Sequence, residues 1–347
     1  MAITLKASTL HSMQKLSVGA GTEAYMKLKK KVSDNGILER SYLYYVVISF
    51  FTFGGFLLCL YFLYVETRLL PLVGWSMLFA FFNVQMGGLL HDAGHRAIFS
   101  STKFNDLFGY ICSAFIGKRY TNWRTNHNRH HAHPNQDEGD PDIEIPFSFT
   151  DEQYKRRRGI IRLIRKYQAY LYFPLGSLVA FRMRMNDFVS FKKHSGKSII
   201  PEIVLFCLGF FFFVILPFFL FDPLKATLII VTFHLAEGLY LLNVFAPNHK
   251  GMPELEKGVK LSFFEHQVIT SRNIRGNWLT DFVYMGLNYQ IEHHLFPSTP
   301  RNKLSQISPF LKEICKKMNL EFTVVGVLEQ NKIILSELQQ IRRENIH

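Results

Sequence analysis

Four long apolar stretches interrupt an otherwise polar chain. They occupy positions 43–65, 69–90, 199–221 and 226–245. Each approaches or exceeds the roughly 20 residues that cross a bilayer core as a helix, so the pattern predicts four transmembrane helices. Only Glu66-Thr67-Arg68 separates the first two stretches, and a similarly short turn ending at Lys225 separates the last two. We therefore expect two antiparallel hairpins whose turns lie on one side of the membrane.

The remaining segments predict an all-α protein with a helical cap. Residues 1–41 are polar, which favours an interfacial helix or a partly ordered tail. Positions 104–117 are apolar but too short to cross, so we interpret them as a re-entrant or interfacial helix. Positions 151–199 mix basic and apolar residues, as expected of a helix in the membrane plane or of a surface that docks an acidic redox protein. We expect a membrane domain over 42–310 and a helical C-terminal tail over 311–347.

The distribution of positive charge predicts the orientation. The chain has 40 Lys and Arg residues and a formal net charge of +13. The two short turns contain only Arg68 and Lys225, whereas the polar segments beyond the opposite ends of the spans contain nearly all the others. Because Lys and Arg concentrate in cytoplasmic loops, we expect both termini and the cap to be cytoplasmic. No nucleic-acid recognition motif accompanies the positive charge, so binding to nucleic acid is excluded as the reason for that charge.

Three histidine clusters lie on the predicted cytoplasmic side. They comprise seven residues: His91, His95, His127, His130, His131, His293 and His294. Residues three or four apart share a helix face, so imidazoles at such spacings can converge. Neutral imidazole is a common ligand of iron, copper, nickel and zinc. Seven imidazoles exceed what one tetrahedral zinc takes, so the clusters predict a histidine-rich site for two metals within the cytoplasmic cap.

The clusters and their flanking residues resemble the membrane fatty acyl desaturase family. The stretch Leu287–Pro297 resembles the third histidine box of the front-end and sphingolipid desaturase branch, where Gln replaces a first histidine. His91–His95 and His127–Pro134 also fit that branch, and Phe245–Pro253 is similar to bacterial members. The likeness extends over about residues 40–310.

This resemblance implies two iron ions near the cytoplasmic face and O2 as a co-substrate. The implied ligands are His91, His95, His127, His130, His131, His249, His293 and His294. Gln290 stands where sister branches have a ninth histidine, and it is implied to be a weak ligand, a hydrogen-bond partner or a space-filler. The implied reaction introduces a cis double bond into a long-chain acyl group carried on coenzyme A or a lipid.

Two alternative functions remain open at this point. A lipid hydroxylase would use the same kind of di-iron centre, and the sequence does not distinguish the two outcomes. A metal transporter would use the histidines as a relay, but it should place its ligands near the middle of the membrane.

The resemblance also implies a separate electron donor. Branch members with a fused cytochrome b5-like domain have a His-Pro-Gly-Gly haem motif, and this sequence contains none. We therefore expect a ferredoxin, or a small cytochrome with its reductase, as a partner.

Further residues are candidates for supporting roles. Gln290, Asp92, Asn248 and Asp140 are candidates for hydrogen-bonding to ligands; helix capping for Asp92 and a solvated loop for Asp140 are the alternatives. Asn83, Gln85 and Trp123 are candidates for the substrate path. An interhelical hydrogen bond is equally expected for Asn83 and Gln85, and interfacial packing for Trp123. His133, two residues after His131, should point away from the cluster.

Overall fold

A computed structural model describes residues 18–143, 145–191 and 200–345 of the chain. The first 17 residues of the predicted N-terminal segment, and position 199 at the predicted start of the third span, lie outside this part. Two short strands, β1 (Asn273–Ile274) and β2 (Val324–Val325), pair in parallel. The other regular elements in the described ranges are helices, which confirms the all-α prediction.

Sixteen α-helices are described within those ranges. In chain order they are α1 (Val18–Asp34), α2 (Tyr42–Val65), α3 (Leu69–Gly94), α4 (Thr102–Ile116), α5 (Tyr120–Ala132), α6 (Asp151–Arg156), α7 (Gly159–Lys166), α8 (Gln168–Gly176), α9 (Val179–Ser190), α10 (Ile200–Leu220), α11 (Pro223–Phe245), α12 (Phe263–Ile269), α13 (Trp278–Val283), α14 (Gln290–Leu295), α15 (Ser308–Lys317) and α16 (Val327–Glu344). Short 3-10 turns follow α11 at Ala246–Asn248 and precede α15 at Arg301–Gln306.

The four predicted spans are confirmed as helices α2, α3, α10 and α11, each long and apolar enough to cross a membrane. Large apolar side chains on them point outward; Phe50, Leu70 and Phe219 are 81%, 83% and 77% exposed. Such continuous apolar exposure is stable against lipid tails and costly in water. The chain is therefore an all-α membrane protein. Helix α3 continues to Gly94, so the first histidine cluster lies on its last turns.

The third span contains one irregular turn with a clear cause. Within α10 the segment Phe211–Ile215 is π-helical, and the Leu216 amide donates to the Phe211 carbonyl. Pro217 follows two residues later and has no N–H to offer the Phe213 carbonyl, while its ring crowds that carbonyl. The wider π turn relieves this crowding ahead of the proline.

The chain divides into two compact units. The span unit comprises the described residues of Arg40–Thr125 and Phe173–Asn243, and the histidine unit those of Met1–Glu39, Asn126–Tyr172 and Val244–His347. In the span unit the two short interhelical turns meet, because the Lys225 ammonium donates to the Tyr64 and Glu66 carbonyls at 3.1 and 2.7 Å. Both hairpin turns thus lie at the same end of the helices, as predicted.

The core of the span unit is largely aromatic. Phe79 of α3 lies 4.7 Å from Phe56 of α2 and 5.0 Å from Phe233 of α11, measured between ring centroids. Phe213 of α10 stacks on Phe233 at 5.1 Å. Ile229 completes one wall of an adjoining apolar cavity of about 240 Å³.

A partly buried ion pair joins helix α9 to the fourth span. Both guanidinium Nη atoms of Arg184 donate to the Glu237 carboxylate, at 2.8 and 2.9 Å. Glu237 is 5% exposed, so each partner compensates a charge that burial would otherwise make costly. Helix α9 therefore does not turn all of its basic residues outward, because Arg184 faces the interior of the span unit.

The histidine unit has a separate apolar core. Leu28 and Val32 of α1 pack with Phe264 of α12, and Leu311 of α15 joins the same cluster. Ile291 and Leu295 of α14, four residues apart, contribute to it as well. Since positions at this spacing share a helix face, the core fixes the rotation of α14 and leaves its other face for polar side chains.

Replacing Gly238 with alanine should destabilise the span unit. A Cβ at position 238 would lie 1.9 Å from the backbone oxygen of Ser177, which cannot move aside as a flexible side chain would. We expect Gly238→Ala to cost about 1–3 kcal/mol and to lower the melting temperature of the detergent-solubilised protein. Gly74→Ala is the matched control, because nothing lies within 4 Å of its added Cβ. Equal melting temperatures for the two variants would contradict this packing.

Candidate metal centre

Helices α5 and α14 bring three histidines of the histidine unit to one point. The Nε2 atom of His131 lies 3.1 Å from that of His127 and 3.1 Å from that of His293. His127 and His131 share a face of α5 through their i, i+4 spacing. We call this group, His127, His131 and His293, the first trio.

A second group of three lies beside the first. Ligand atoms of His130, His249 and His294 all lie within 4.8 Å of one another, and all three residues are buried. His130 is next to His131 on α5, and His294 is next to His293 on α14, so each helix supplies both groups. The His131 and His294 rings stack at 4.3 Å, which places the two groups in contact. We call His130, His249 and His294 the second trio.

In each ring of the second trio, the Nδ1 atom faces a hydrogen-bond acceptor. His130 Nδ1 lies 3.0 Å from both carboxylate oxygens of Asp140. His249 Nδ1 lies 3.1 Å from the Thr270 carbonyl oxygen, and His294 Nδ1 lies 2.7 Å from Gln267 Oε1. An acceptor requires the proton on Nδ1, so the Nε2 lone pairs of all three rings are left for the interior.

The orientation of Gln267 follows from its second contact. Its amide nitrogen donates to the His131 carbonyl at 3.1 Å, so its oxygen must face His294. Gln267 is fully buried on α12. The Gln267 side chain thus contacts the ring of His294 on α14 and the backbone of His131 on α5.

Two histidines of the second trio have pKa values shifted in opposite directions. Burial, reinforced by the neighbouring His130, lowers the pKa of His249 well below its usual range, so its ring is neutral. Burial acts to lower the pKa of His130 as well, but the charge and hydrogen bond of Asp140 outweigh it and raise that pKa. Burial raises and His130 lowers the pKa of Asp140, with a net decrease. A metal ion can take the place of the proton that Asp140 favours on His130.

The donor sets therefore fit metal ions. Bonds of about 2.0–2.1 Å join a metal to imidazole nitrogen, so one ion can reach two Nε2 atoms that are 3.1 Å apart. Three inward lone pairs inside a buried site repel one another unless a cation or a donor lies between them. Two adjacent trios provide for two ions, each with open coordination positions.

Gln290 and Asn248, both sequence candidates, lie against the second trio. The Gln290 amide nitrogen is 3.0 Å from His249 Nε2 and 2.9 Å from His294 Nε2. The Asn248 amide nitrogen lies 3.0 Å from Gln290 Oε1. Both amides are buried, at 5% and 1% exposure.

His91 and His95, the first histidine cluster along the chain, lie in the span unit. The His91 and His95 ring centroids are 4.7 Å apart at the end of α3. Asp92 is 3.1 Å from His91 Nδ1 through one oxygen and accepts a 2.8 Å hydrogen bond from the Tyr45 hydroxyl through the other. Trp123 packs against His91 with 5.8 Å between ring centroids. Asp92 thus connects a predicted ligand to helix α2.

The two polar residues deep in α3 have different surroundings. The Gln85 amide donates to the Tyr240 hydroxyl at 2.8 Å, an interhelical hydrogen bond between α3 and α11. Asn83 is 2% exposed, and its amide nitrogen has no hydrogen-bond partner among the described residues. His133 is exposed and contacts the Gln136 amide oxygen at 3.1 Å, outside both trios.

Several supporting residues had no signal in the sequence. Tyr45, Gln267 and Asn135 are separated from the residues they hold by 47, 27 and 114 positions. The Asn135 amide donates to the His249 carbonyl at 2.9 Å. Arg272, 2% exposed, donates through Nε to the Pro247 carbonyl at 2.6 Å and also contacts the Lys250 carbonyl. Burial lowers the pKa of Arg272 to about 10, so it stays charged at neutral pH.

Asp140→Asn should weaken metal binding without removing a ligand. The change takes away the negative charge that orients His130, and losing such a partner costs about 10–100-fold in metal affinity. Metal retained after dialysis against graded chelator measures this effect. Asp142→Asn is the control, because its carboxylate is 3.7 Å from His130 Nδ1 and its side chain is 65% exposed. Equal losses in the two variants would argue against a specific role for Asp140.

Comparisons of the sequence with known proteins identify a family. The profile of the family described as fatty acid desaturase matches residues 67–326. The chain is 28% identical over 322 residues to a Delta(8)-fatty-acid desaturase of Euglena gracilis, covering 88% of this chain and 75% of that protein. It is also 28% identical to the Delta(5) fatty acid desaturase fat-4 of Caenorhabditis elegans, covering 87% and 70%.

A Delta 8-(E)-sphingolipid desaturase of Lachancea kluyveri is 28% identical over 282 residues, which cover 74% of this chain and 49% of that protein. Fatty-acid and sphingolipid desaturases are the branch that the three histidine boxes resemble, so this prediction is confirmed. Because the family profile covers well over half of its residues, the chain belongs to the fatty acid desaturase family.

Proposed function

We propose that this protein is an O2-dependent membrane desaturase that introduces a cis double bond into a long-chain acyl group of an acyl-CoA or acyl-lipid. As a member of its family it is an oxidoreductase. The observation that carries the proposal is the pair of adjacent trios, His127, His131 and His293 beside His130, His249 and His294. Family membership favours this reaction over metal transport.

We propose iron as the metal and eight histidines as its ligands. The six residues of the two trios would be joined by His91 and His95. Two irons held there would supply the oxidising power: with O2, two electrons and two protons, two hydrogens would be removed from neighbouring methylene carbons and two waters would form. General acid–base chemistry cannot do this, since an unactivated C–H has no acidic proton.

The side chains around the site have the task of holding ligands rather than reacting. Asp140, Gln267 and the Thr270 carbonyl keep the rings of the second trio turned inward. In the neutral form of each ring, the same contacts hold the proton on Nδ1 and leave the Nε2 lone pair for a metal ion. Burial of every member of this trio excludes bulk water, which protects a reactive centre from side reactions.

The proposed setting is a membrane enzyme whose termini and metal site are cytoplasmic. The support is the distribution of positive charge. The two hairpin turns, which meet, contain only two basic residues, Arg68 and Lys225. We propose that a separate ferredoxin, or a cytochrome with its reductase, supplies electrons. The acyl substrate would enter from the surrounding lipid.

Expression in a host without such enzymes tests the function. We expect a new cis double bond in the acyl chains, located by fragmentation in mass spectrometry, and its complete loss in His130→Ala. His133→Ala should retain the product, because His133 is exposed and outside both trios. A hydroxylated chain instead of an unsaturated one would establish the hydroxylase. Full unsaturated product from His130→Ala would refute the proposed site.

We also propose that the apolar cavity of the span unit takes the far end of the acyl chain. Its lining contains Phe79, Phe213, Ile229 and Phe233, with no charged side chain. Phe79 precedes His91 by twelve residues on α3, a distance of about 18 Å along the helix. A chain that reaches from the end of α3 to this cavity would be bound along most of its length.

Ile229→Trp should fill much of this cavity and shift the chain-length profile. We expect lower conversion of the longest acyl chains than of shorter ones when a mixture of lengths is supplied and the products are measured by gas chromatography. Val231→Trp is the control, since Val231 lies on the same helix and is 49% exposed. A profile that Ile229→Trp leaves unchanged would show that the cavity takes no part in binding.

A further inference from the structure

The orientation of the Gln290 amide can be worked out from its neighbours. The chain of contacts begins at two backbone carbonyls. The Asn248 side chain lies 3.1 Å from the Val244 oxygen and 3.0 Å from the Leu287 oxygen. A carbonyl oxygen only accepts hydrogen bonds, so the Asn248 atom that faces both must be its amide nitrogen.

The same nitrogen faces Gln290. The Asn248 nitrogen and the nearest Gln290 amide atom are 3.0 Å apart, and Asn248 is 1% exposed. A donor that faces another amide at this distance requires an acceptor, which is the Gln290 oxygen. The Gln290 NH2 group is thereby turned towards the Nε2 atoms of His249 and His294, at 3.0 and 2.9 Å.

An amide NH2 has hydrogens to donate and no lone pair to give to a metal. Of the three roles that the sequence leaves open for Gln290, this orientation rules out the ligand. A space-filler would not need a buried partner that fixes which end of the amide faces inward. The donor role accounts for both observations.

We propose that Asn248 holds Gln290 as a hydrogen-bond donor aimed at the open coordination position of the second trio, where it stabilises a small anionic or oxygen-derived ligand. This inference rests on the proposed function, because it requires a metal ion in the second trio. Asn248 is a positioning residue, and Gln290 is the group that touches the bound ligand. A ninth imidazole at position 290 would fill the position that the donor leaves open.

Azide is a suitable probe, because it is a small anion whose binding to a ferric centre is followed by absorption. The experiment uses the full-length, iron-loaded protein in detergent and measures iron content and azide affinity separately. Gln290→Met keeps an unbranched side chain of similar length without the donor. We expect its iron content to equal that of the unaltered protein and its azide affinity to fall about tenfold or more, as for the loss of a hydrogen bond to a charged acceptor.

Two further variants test the orientation of the Gln290 amide. Gln290→Glu keeps an oxygen for Asn248 and turns a second oxygen towards the trio, so it should release iron to a chelator more slowly than the unaltered protein. Asn248→Leu should weaken azide binding as Gln290→Met does, because the amide of Gln290 is then no longer held.

His294→Ala tests the metal site itself and should lose iron. Full iron content in His294→Ala would overturn the proposed function. Iron loss in Gln290→Met equal to that in His294→Ala would overturn this inference alone, because it would make Gln290 a ligand. Unchanged azide affinity in Gln290→Met would overturn it as well, because it would make Gln290 a space-filler.

Discussion

Imidazole lone pairs that face one another in a buried site are the constraint on which the histidine unit depends. Such an arrangement is unfavourable unless a cation, or a donor such as the Gln290 amide, lies between the nitrogens. The fold supports it by satisfying the opposite side of each ring. His130, His249 and His294 all have an acceptor on Nδ1, from a carboxylate, a carbonyl and an amide in turn. Each ring is then held in a single orientation.

The apolar pattern predicted the helices well because hydropathy is a local property. All four spans were identified, and the boundaries differ by few residues. The second span runs further than expected, to Gly94, because the last turns of α3 are buried and the polar His91 and Asp92 have partners there. The π turn in α10 was not predicted, although Pro217 provides a local cause.

The histidines were identified from the sequence but were not assigned to the two trios. Adjacent residues on a helix point about 100° apart, so His130 and His131 face different trios, and the same holds for His293 and His294. That division can be read from spacing once a helix is assumed. The partners Gln267 and Asn135 cannot be read in this way, since single amides are common and their acceptors are remote in the sequence. A backbone acceptor such as the Thr270 carbonyl has no sequence signature at all.

His249, the proposed ligand outside the histidine boxes, is held by more long-range contacts than helix packing provides. It follows a short 3-10 turn and is not on a regular helix, so helix packing cannot fix its position. Three separate contacts replace that packing: Asn135 holds its carbonyl, Thr270 holds its ring, and Arg272 holds the carbonyls on either side of it. Because these contacts come from segments far apart in the chain, the position of His249 depends on tertiary contacts rather than on a helix. An isolated histidine with little sequence signal is thus the one that depends most on tertiary structure.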